Sequence, residues 1–352
     1  MRAGILDALG GEAGCKRLSR EFYARVAKEP VLRPLFPGKS LRCATEELAA
    51  FLVQFLGGDE DQTQYRWWLS LRESHARFRI DLAQRRAWLK HMGTTLDATP
   101  LDKDTRTALR QFFLHSSAYV VGDEVAEPEH VELAARWREQ RALDDAIGAI
   151  ARSQDHEALT LAPQFASRPS VFVGLLARMV RSGRAGLIQF VIDTVERRPC
   201  LATRRFSGRT LLHFACGAGC REVVALLLRL DTDPNIRDRG GHAPLYSVAN
   251  ECASEAGPEI VRALVRAGAN VNAAGGVTRA TALHMAARRG HVGIARALLD
   301  CGAALDAQDR KGDTPLQRAI NCRKDTVAEL FVEFGASRSA HPRTSRLRDK
   351  SR

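Results

Sequence analysis

Closely spaced cysteines, aromatic residues and long apolar runs are all scarce in this chain. The eight cysteines form no CxxC pair, and aromatics make up 6% of the 352 residues. Such spacing argues against a disulfide framework or a zinc finger and favours a reducing compartment. Without a long apolar run, we expect neither a signal peptide nor a membrane span. The sequence therefore predicts a cytoplasmic protein with no membrane partner.

Positive charge is in excess, with a formal net charge of +12. Much of it lies at the C-terminal end, where residues 338–352 carry six basic residues against one aspartate. Serine and proline accompany this charge, and residues 339–352 are predicted to be a basic disordered tail. Elsewhere the arginines are spread thinly over predicted helix faces, so we do not expect nucleic acid to be the partner.

The few aromatic residues crowd the first quarter of the chain. This bias predicts a first domain built around something large and flat, and the alternative is that the rings simply fill its core. The aromatic residues concerned are Phe22, Tyr23, Phe36, Phe51, Phe55, Tyr65, Trp67, Trp68, Phe78 and Trp88.

The second half of the chain is repetitive. Aligned leucines at 212, 245, 283 and 316 are separated by 33, 38 and 33 residues, within the strings "GRTLLHFA", "GHAPLYSV", "RATALHMA" and "GDTPLQRA". Each string is followed by a second apolar helical pattern and a turn. This region resembles the ankyrin repeat in period and signature. The resemblance predicts about four stacked repeats with short β-hairpin turns, preceded by a degenerate repeat at 175–199 that caps the array.

Threonine and histidine recur at the start of these repeats. Thr210, Thr281 and Thr314 are placed to cap the first helix of their repeat. His213 and His284 belong to the ankyrin signature, so we expect them to stabilise turns by hydrogen bonding rather than to bind metal.

The first 123 residues show helical periodicity and a series of ordered motifs. In order, the motifs are "EFYARVAKEPVLRPLFP", "FLVQFLGGD", "LRESHARFRI" and "RRAWLKHM". Together they resemble a truncated haemoglobin, and Trp88 with the Phe22–Tyr23 pair is similar to the subgroup often called group II. The resemblance implies a 2-over-2 helical globin domain that binds haem b.

The same resemblance implies a role for individual residues. His75 would be the proximal ligand of the haem iron, with its second ring nitrogen held by an acceptor. Tyr23 and Trp88 would donate hydrogen bonds to a gas bound on the distal face. A charge-assisted bond from Tyr23 to O2 contributes about 1.5–3 kcal/mol. Phe36 would stack on the haem face, and Phe78 is assigned to the same pocket.

Two small or apolar residues complete the predicted distal wall. Ala44 stands where many globins carry a distal histidine, and Leu48 would lie beside it. By this resemblance Ala44 would leave the iron open to a gas and would offer no acid–base group of the kind a peroxidase uses.

Anchoring of the haem propionates departs from the family pattern. Ser74 and Glu47 occupy positions where basic residues are common. The nearby arginines at 72, 77 and 79 are candidate anchors, and the sequence does not rank them. Trp67 and Trp68 would pack over the haem edge or face the second domain.

Residues 124–165 read as two alanine-rich helices. They are predicted to be a rigid connector or a further degenerate repeat. The predicted organisation is all-α: a globin domain at 1–123, the connector at 124–165, ankyrin repeats at 166–338 and the tail.

Three functions follow from this organisation. The favoured one is a haem protein that binds O2 or another diatomic gas while the repeats bind a protein partner, which makes a sensor, an adaptor or a carrier. An enzyme, of peroxidase or nitric-oxide dioxygenase type, stays open as the alternative and would need an outside electron donor. The third is a haem-free scaffold.

Overall fold

The structure is a computed structural model, and it describes residues 4–36, 38, 40–58, 71, 75, 78, 80–123 and 127–336. Within these residues there are 17 α-helices and two strands of two residues each, so the predicted all-α class is confirmed. No helix in the described ranges is both long enough and apolar enough to cross a bilayer.

The chain divides into two compact units between Val171 and Phe172. The residue limits 1–123, 124–165 and 166–338 stay predictions, and residues 337–352, with the predicted tail, lie outside the described residues.

Seven helices build the N-terminal unit, and an eighth spans the point where the units divide. They are α1 (Ile5–Ala8), α2 (Gly11–Val26), α3 (Arg42–Phe55), α4 (Leu82–Ala98), α5 (Lys103–Val121), α6 (Val131–Ala151), α7 (Asp155–Leu161) and α8 (Pro169–Ser182). Short 3-10 turns lie at Arg33–Leu35 and Ala162–Phe165.

Helix α2 owes its position to the apolar spacing seen in the sequence. Leu18, Phe22 and Val26 recur every four residues, which places them on one face of a helix. All three are at most 1% exposed and belong to the unit's core. Tyr23 follows Phe22 directly, so it leaves the helix at a different angle and stays half-buried. Core packing of α2 thus sets the direction of the Tyr23 side chain.

Helix α4 begins at a capping box. The Asp81 carboxylate accepts from the backbone N–H groups of Ala83 and Gln84, at 2.7 and 3.0 Å. The Gln84 side chain accepts in return from the Asp81 N–H at 2.8 Å. Reciprocal bonds of this kind satisfy amides that the first helical turn leaves without partners. They fix where the helix starts and therefore where Trp88, two turns along, emerges.

Helix α6 contributes to the same core as the preceding helices. Leu133 and Trp137 are fully buried within it. The Trp137 ring lies 6.0 Å from that of Phe112 and 5.3 Å from that of Tyr119, both in edge-on contact. A fully buried indole adds a large apolar area to a core. Residues 131–151 are therefore structurally part of the N-terminal unit's core.

The C-terminal unit is a series of helix pairs. Helices α8 and α9 (Ala185–Arg197) come first in sequence, and four pairs of contacting helices follow. These pairs are α10 (Leu211–Ala218) with α11 (Arg221–Arg229), α12 (Pro244–Glu251) with α13 (Gly257–Arg266), α14 (Ala282–Arg289) with α15 (Val292–Asp300), and α16 (Pro315–Asn321) with α17 (Asp325–Glu333). The two strands, β1 (Arg205–Phe206) and β2 (Arg209–Thr210), pair antiparallel and form one short hairpin.

In two of the repeats, a buried histidine makes hydrogen bonds at the start of the first helix. The Thr210 N–H donates to His213 Nδ1 at 3.2 Å. Because Nδ1 accepts, the neutral ring carries its hydrogen on Nε2, which donates to the His242 carbonyl of the next repeat at 3.1 Å. The Thr281–His284 pair repeats this geometry. Each histidine thus joins its own helix start to the neighbouring repeat, as the signature predicts.

Burial of these rings makes the array sensitive to acid. Burial lowers the pKa of His213 to about 4 and also lowers that of His284. An unfolded histidine titrates near pH 6.5, so the unfolded chain binds more protons between these values. The contribution of these neutral rings to the free energy of unfolding is fully present above about pH 6.5, and it is lost as the pH falls toward 4. We expect a loss of about 3 kcal/mol from His213 alone.

Denaturation at a series of pH values checks this expectation. All four tryptophans precede Val171, so fluorescence follows the N-terminal unit and helical circular dichroism reports both. The control is His213→Gln, because Gln317 already makes the matching bond to the Thr314 N–H at 2.8 Å in the last repeat. An equal pH slope in His213→Gln and the parent chain would refute the assignment.

Candidate functional site

His75 is helical and half-buried, and its ring is held by the backbone. Its Nδ1 lies 2.8 Å from the carbonyl oxygen of Leu71, one helical turn earlier. A carbonyl only accepts, so Nδ1 carries the hydrogen and donates it. In the neutral ring Nε2 then has the lone pair, which is the form that binds a metal ion. The sequence predicts such an acceptor, and the structure places Leu71 in that position.

A row of aromatic rings leads from His75 to Tyr23. The Phe78 centroid lies 6.4 Å from that of His75, and Phe36 lies 5.8 Å from Phe78. Tyr23 meets Phe36 edge-on, with centroids 5.7 Å apart. These distances are those of aromatic contact. Four predicted site residues from three segments of the sequence are thus brought together.

Trp88 joins this row through the core. Its ring lies 5.1 Å from that of Phe22, which in turn lies 5.0 Å from Tyr23. On its other side Trp88 meets Phe113 at 5.5 Å. Two rings that carry hydrogen-bond donors, Tyr23 and Trp88, therefore flank one buried phenylalanine.

Helix α3 brings the remaining predicted residues to the site. Ala44 and Leu48 are one turn apart, so they share a helix face, and Leu48 packs on the core. Glu47 lies between them in sequence, and its charge acts on Tyr23. Burial, and secondarily this carboxylate, raise the pKa of Tyr23 well above its usual value. The phenol therefore keeps its hydrogen, and remains a donor, at neutral and moderately alkaline pH.

All seven predicted site residues have the same intermediate burial. They differ in this from the core rings Phe22 and Phe112, which are at most 1% exposed. The Tyr23 hydroxyl and the Trp88 indole N–H make no hydrogen bond within the part of the chain that the structure describes. Half-buried apolar side chains beside two donors without partners are typical of a pocket that takes a ligand.

The sequence did not predict two residues that support His75, namely Leu71 and Asp144. The backbone N–H of Leu71 donates to the Asp144 carboxylate, at 2.9 Å to Oδ1 and 3.2 Å to Oδ2. Asp144 belongs to α6 and is 5% exposed. Leu71 could have been found from its helical spacing to His75. No sequence signal indicates Asp144, which follows Leu71 by 73 residues.

Part of the predicted site falls outside the described residues. The two tryptophans proposed to cover the haem edge, Trp67 and Trp68, lie there. So do Ser74 and the candidate propionate anchors at 72, 77 and 79.

Comparison with known families matches both units. A family described as bacterial-like globin matches residues 4–119. A family described as ankyrin repeats (3 copies) matches residues 176–274 and 250–340. The chain joins a bacterial-like globin domain to ankyrin repeats. The globin domain suggests binding of haem and gas, and the ankyrin repeats suggest interaction with protein.

Several animal proteins are similar to part of the chain. The "Ankyrin repeat and KH domain-containing protein mask-1" of Caenorhabditis elegans is 36% identical over 137 residues, which is 39% of this chain and 5% of that protein. The mouse "B-cell lymphoma 3 protein homolog" is 36% identical over 125 residues, 35% of this chain and 27% of that protein. Human "Ankyrin repeat and SOCS box protein 16" is 31% identical over 173 residues, 38% of this chain and 37% of that protein. The chain spans less than two fifths of the length of each of these relatives.

The residues of the globin domain fit a haem group. His75 has the tautomer that metal ligation needs, because its Nδ1–H is already engaged by Leu71. Phe36, Phe78 and Leu48 are only partly buried, so each retains apolar surface that a haem could cover. Tyr23 and Trp88 supply donors whose hydrogen bonds the described residues do not satisfy. A proximal ligand, apolar walls and distal donors are the components that a haem pocket requires.

Proposed function

We propose that the globin domain binds haem b through His75 Nε2 and takes O2 or another diatomic gas as its ligand. The hydrogen bond from His75 Nδ1 to the Leu71 carbonyl supports this most directly, since it prepares the opposite nitrogen for iron. The bound iron supplies the coordination position at which the gas binds. Phe36, Leu48 and Phe78 provide the apolar surface that excludes water from the macrocycle.

Tyr23 and Trp88 stabilise the ligand on the distal side. Their hydroxyl and indole hydrogens are donors, and they would stabilise a diatomic ligand that gains partial negative charge when it binds. The raised pKa of Tyr23 keeps the phenol protonated for this role. Ala44 contributes only a methyl group, so the described distal side chains favour ligand binding over the proton transfer of a peroxidase.

The ankyrin repeats bind a protein partner at their turns, in this proposal. The tips of successive turns carry four exposed cations, which we name the tip surface: Arg239, Arg279, Arg310 and Lys311. Among the described residues none of the four forms an ion pair. The tip surface is therefore available to an anionic partner.

Acidic residues of the same turns face inward. Asp238 accepts from the His242 N–H at 2.9 Å. Asp309, 6% exposed, accepts from the N–H groups of Lys311 and Asp313 at 2.7 and 3.1 Å. These carboxylates organise the turns, while the cations stay in solvent. Charge thus separates across these two turns, with the positive side outward.

Neighbouring turns are tied to one another by backbone acceptors. Arg205 donates to the Arg237 carbonyl at 2.7 Å, and Arg237 donates to the Ala274 carbonyl at 3.0 Å. The Arg310 N–H donates to the Thr278 carbonyl at 2.8 Å. The spacing of the turn backbones that carry the tip cations is therefore restrained. We propose that the surface takes an extended acidic segment of a protein, because a row of like charges carried on tied turns is complementary to such a segment.

We expect the tip surface to bind a short labelled peptide rich in aspartate and glutamate, with an affinity that falls as salt rises. Arg310→Glu should weaken binding about tenfold, whereas Arg266→Glu should change it little. Arg266 is also an exposed arginine, but it lies on the second helix of its pair. Fluorescence anisotropy measures both. Equal losses in the two variants, or tighter binding of a single-stranded oligonucleotide than of the peptide, would contradict the proposal.

The sensor role adds a second arm to the same titration. Coupling between two sites requires two states that the ligands distinguish, and it is typically worth a fivefold or larger change in affinity. We expect peptide affinity to differ by about fivefold between the deoxy and O2 forms, and His75→Ala to remove the difference. Equal affinities in both forms would leave a tethered carrier and refute the sensor.

A further inference from the structure

We propose that Asp144 is a positioning residue for the proximal histidine of the haem site. The proposal rests on the haem-binding function proposed above and deepens it. Asp144 holds Leu71 through its backbone N–H, and Leu71 holds the His75 ring through its carbonyl. The orientation of the proximal imidazole would thus depend on a helix that lies outside the residues matched by the globin family, 4–119.

In the contact between Asp144 and Leu71, the carboxylate is buried and is held by a further hydrogen bond. Both carboxylate oxygens lie within hydrogen-bond distance of one N–H, at 2.9 and 3.2 Å. The Gln140 side chain donates to Asp144 Oδ1 at 3.0 Å and fixes the carboxylate from the preceding turn. Asp144 is 5% exposed, so the bond is shielded from competing water. A charge-assisted bond in such surroundings is about twice as strong as a neutral one.

Helix α6, which carries Asp144, packs against the core through several buried side chains. Leu133 and Trp137 anchor its first half in the core of the globin domain. Asp144 lies two turns beyond Trp137, on the same side of the helix. Leu143 directly precedes Asp144 and is also buried. Ile147 lies one turn beyond Leu143 and is buried too. Because buried residues lie on both sides of Asp144 along α6, displacing its carboxylate would disturb core packing, so we expect Asp144 to restrain Leu71.

The chemical consequence concerns the imidazole itself. A ligand imidazole depends on the acceptor at its other nitrogen for both its orientation and its basicity. Here that acceptor is a backbone carbonyl, whose direction depends on the dihedral angles of Leu71. Asp144 restrains Leu71 at the amide on the other side of the same residue. Loss of the carboxylate should therefore loosen the His75 Nδ1–H bond without removing it.

Three variants of the full-length chain, reconstituted with hemin, test the role. Asp144→Ala removes the acceptor, Asp144→Asn keeps its shape without its charge, and Asp145→Ala changes the exposed neighbouring aspartate on the same helix. We expect haem transfer to an excess of apomyoglobin to be about tenfold faster in Asp144→Ala, and intermediate in Asp144→Asn. Asp145→Ala should match the parent chain.

Resonance Raman spectroscopy of the ferrous deoxy form separates positioning from general destabilisation. We expect the iron–histidine stretching band to shift to lower frequency in Asp144→Ala, with a smaller shift in Asp144→Asn. A lower melting temperature with an unchanged band would overturn the proposal. If Asp144→Ala fails to fold, Asp144→Asn decides the matter against Asp145→Ala in the same measurement.

The two proposals fail in different ways. If the parent chain does not take up hemin, the haem function itself is wrong. If the parent chain binds hemin, but band and transfer rate in both Asp144 variants equal those of Asp145→Ala, only the positioning role is wrong.

Discussion

His75→Ala should abolish the Soret band that the parent chain acquires on titration with hemin. His75 is the histidine whose Nδ1–H is already engaged by a backbone carbonyl, which leaves Nε2 as the metal-binding nitrogen. Loss of a direct ligand removes more affinity than loss of an outer-shell partner, so we expect haem affinity to fall by more than about 100-fold. Absorption spectroscopy during a hemin titration measures the loss.

His115→Ala is the matched control for this change. His115 is also half-buried in the globin domain, on α5, and it is not among the predicted site residues. Its loss should leave the spectrum intact. His75→Gly supplied with imidazole should recover a low-spin or five-coordinate spectrum, because a free ligand replaces the missing ring. A parent chain that stays colourless with hemin, or a His75→Ala spectrum equal to that of the parent, would refute the assignment.

Tyr23→Phe should increase the O2 dissociation rate constant by about 10- to 150-fold. The range corresponds to the 1.5–3 kcal/mol that a hydrogen bond to a charged or strongly polar acceptor contributes. The substitution removes one hydroxyl and leaves the ring contacts with Phe22 and Phe36, at 5.0 and 5.7 Å. Stopped-flow mixing of the O2 form with a CO solution gives the rate.

Two comparisons show whether the hydroxyl acts on the ligand. Dissociation of CO, which is a much poorer acceptor, should change far less than that of O2. Tyr119→Phe removes a hydroxyl from a buried ring that packs on Trp137 and is not among the predicted site residues, and it should leave O2 dissociation unchanged. An O2 rate in Tyr23→Phe equal to that of the parent chain would show that Tyr23 is a core residue, and Trp88→Phe would then test the remaining donor.

Much of the ankyrin array could be predicted from the sequence. Each repeat contacts only its neighbours, so period and signature carry nearly all of the structural information. Thr314 illustrates this: it precedes the first helix of the last repeat, and its hydroxyl accepts from the Gln317 N–H at 3.3 Å. The direction of charge at the turns could not be predicted in the same way. Asp309 and Arg310 are adjacent in sequence, and only folding shows that one is buried and the other exposed.

In the globin domain, too, some features could be predicted from the sequence and others could not. Helical spacing predicted the buried face of α2, and the motif resemblance selected Tyr23, His75 and Trp88. The contacts among them depend on helices far apart in sequence. The aromatic row from His75 to Tyr23 exists because three segments converge on one core, and no pair spacing within a helix encodes that convergence.

By itself, the sequence determined what is local: helix starts, the repeat period and the apolar faces. These depend on residues within one or two helical turns, or within one repeat, of each other. Only the tertiary structure decided that residues 131–151 complete the globin core and that Asp144 holds Leu71. That contact joins residues 73 positions apart, and it forms because burial of Leu133 and Trp137 fixes α6 against the rest of the domain.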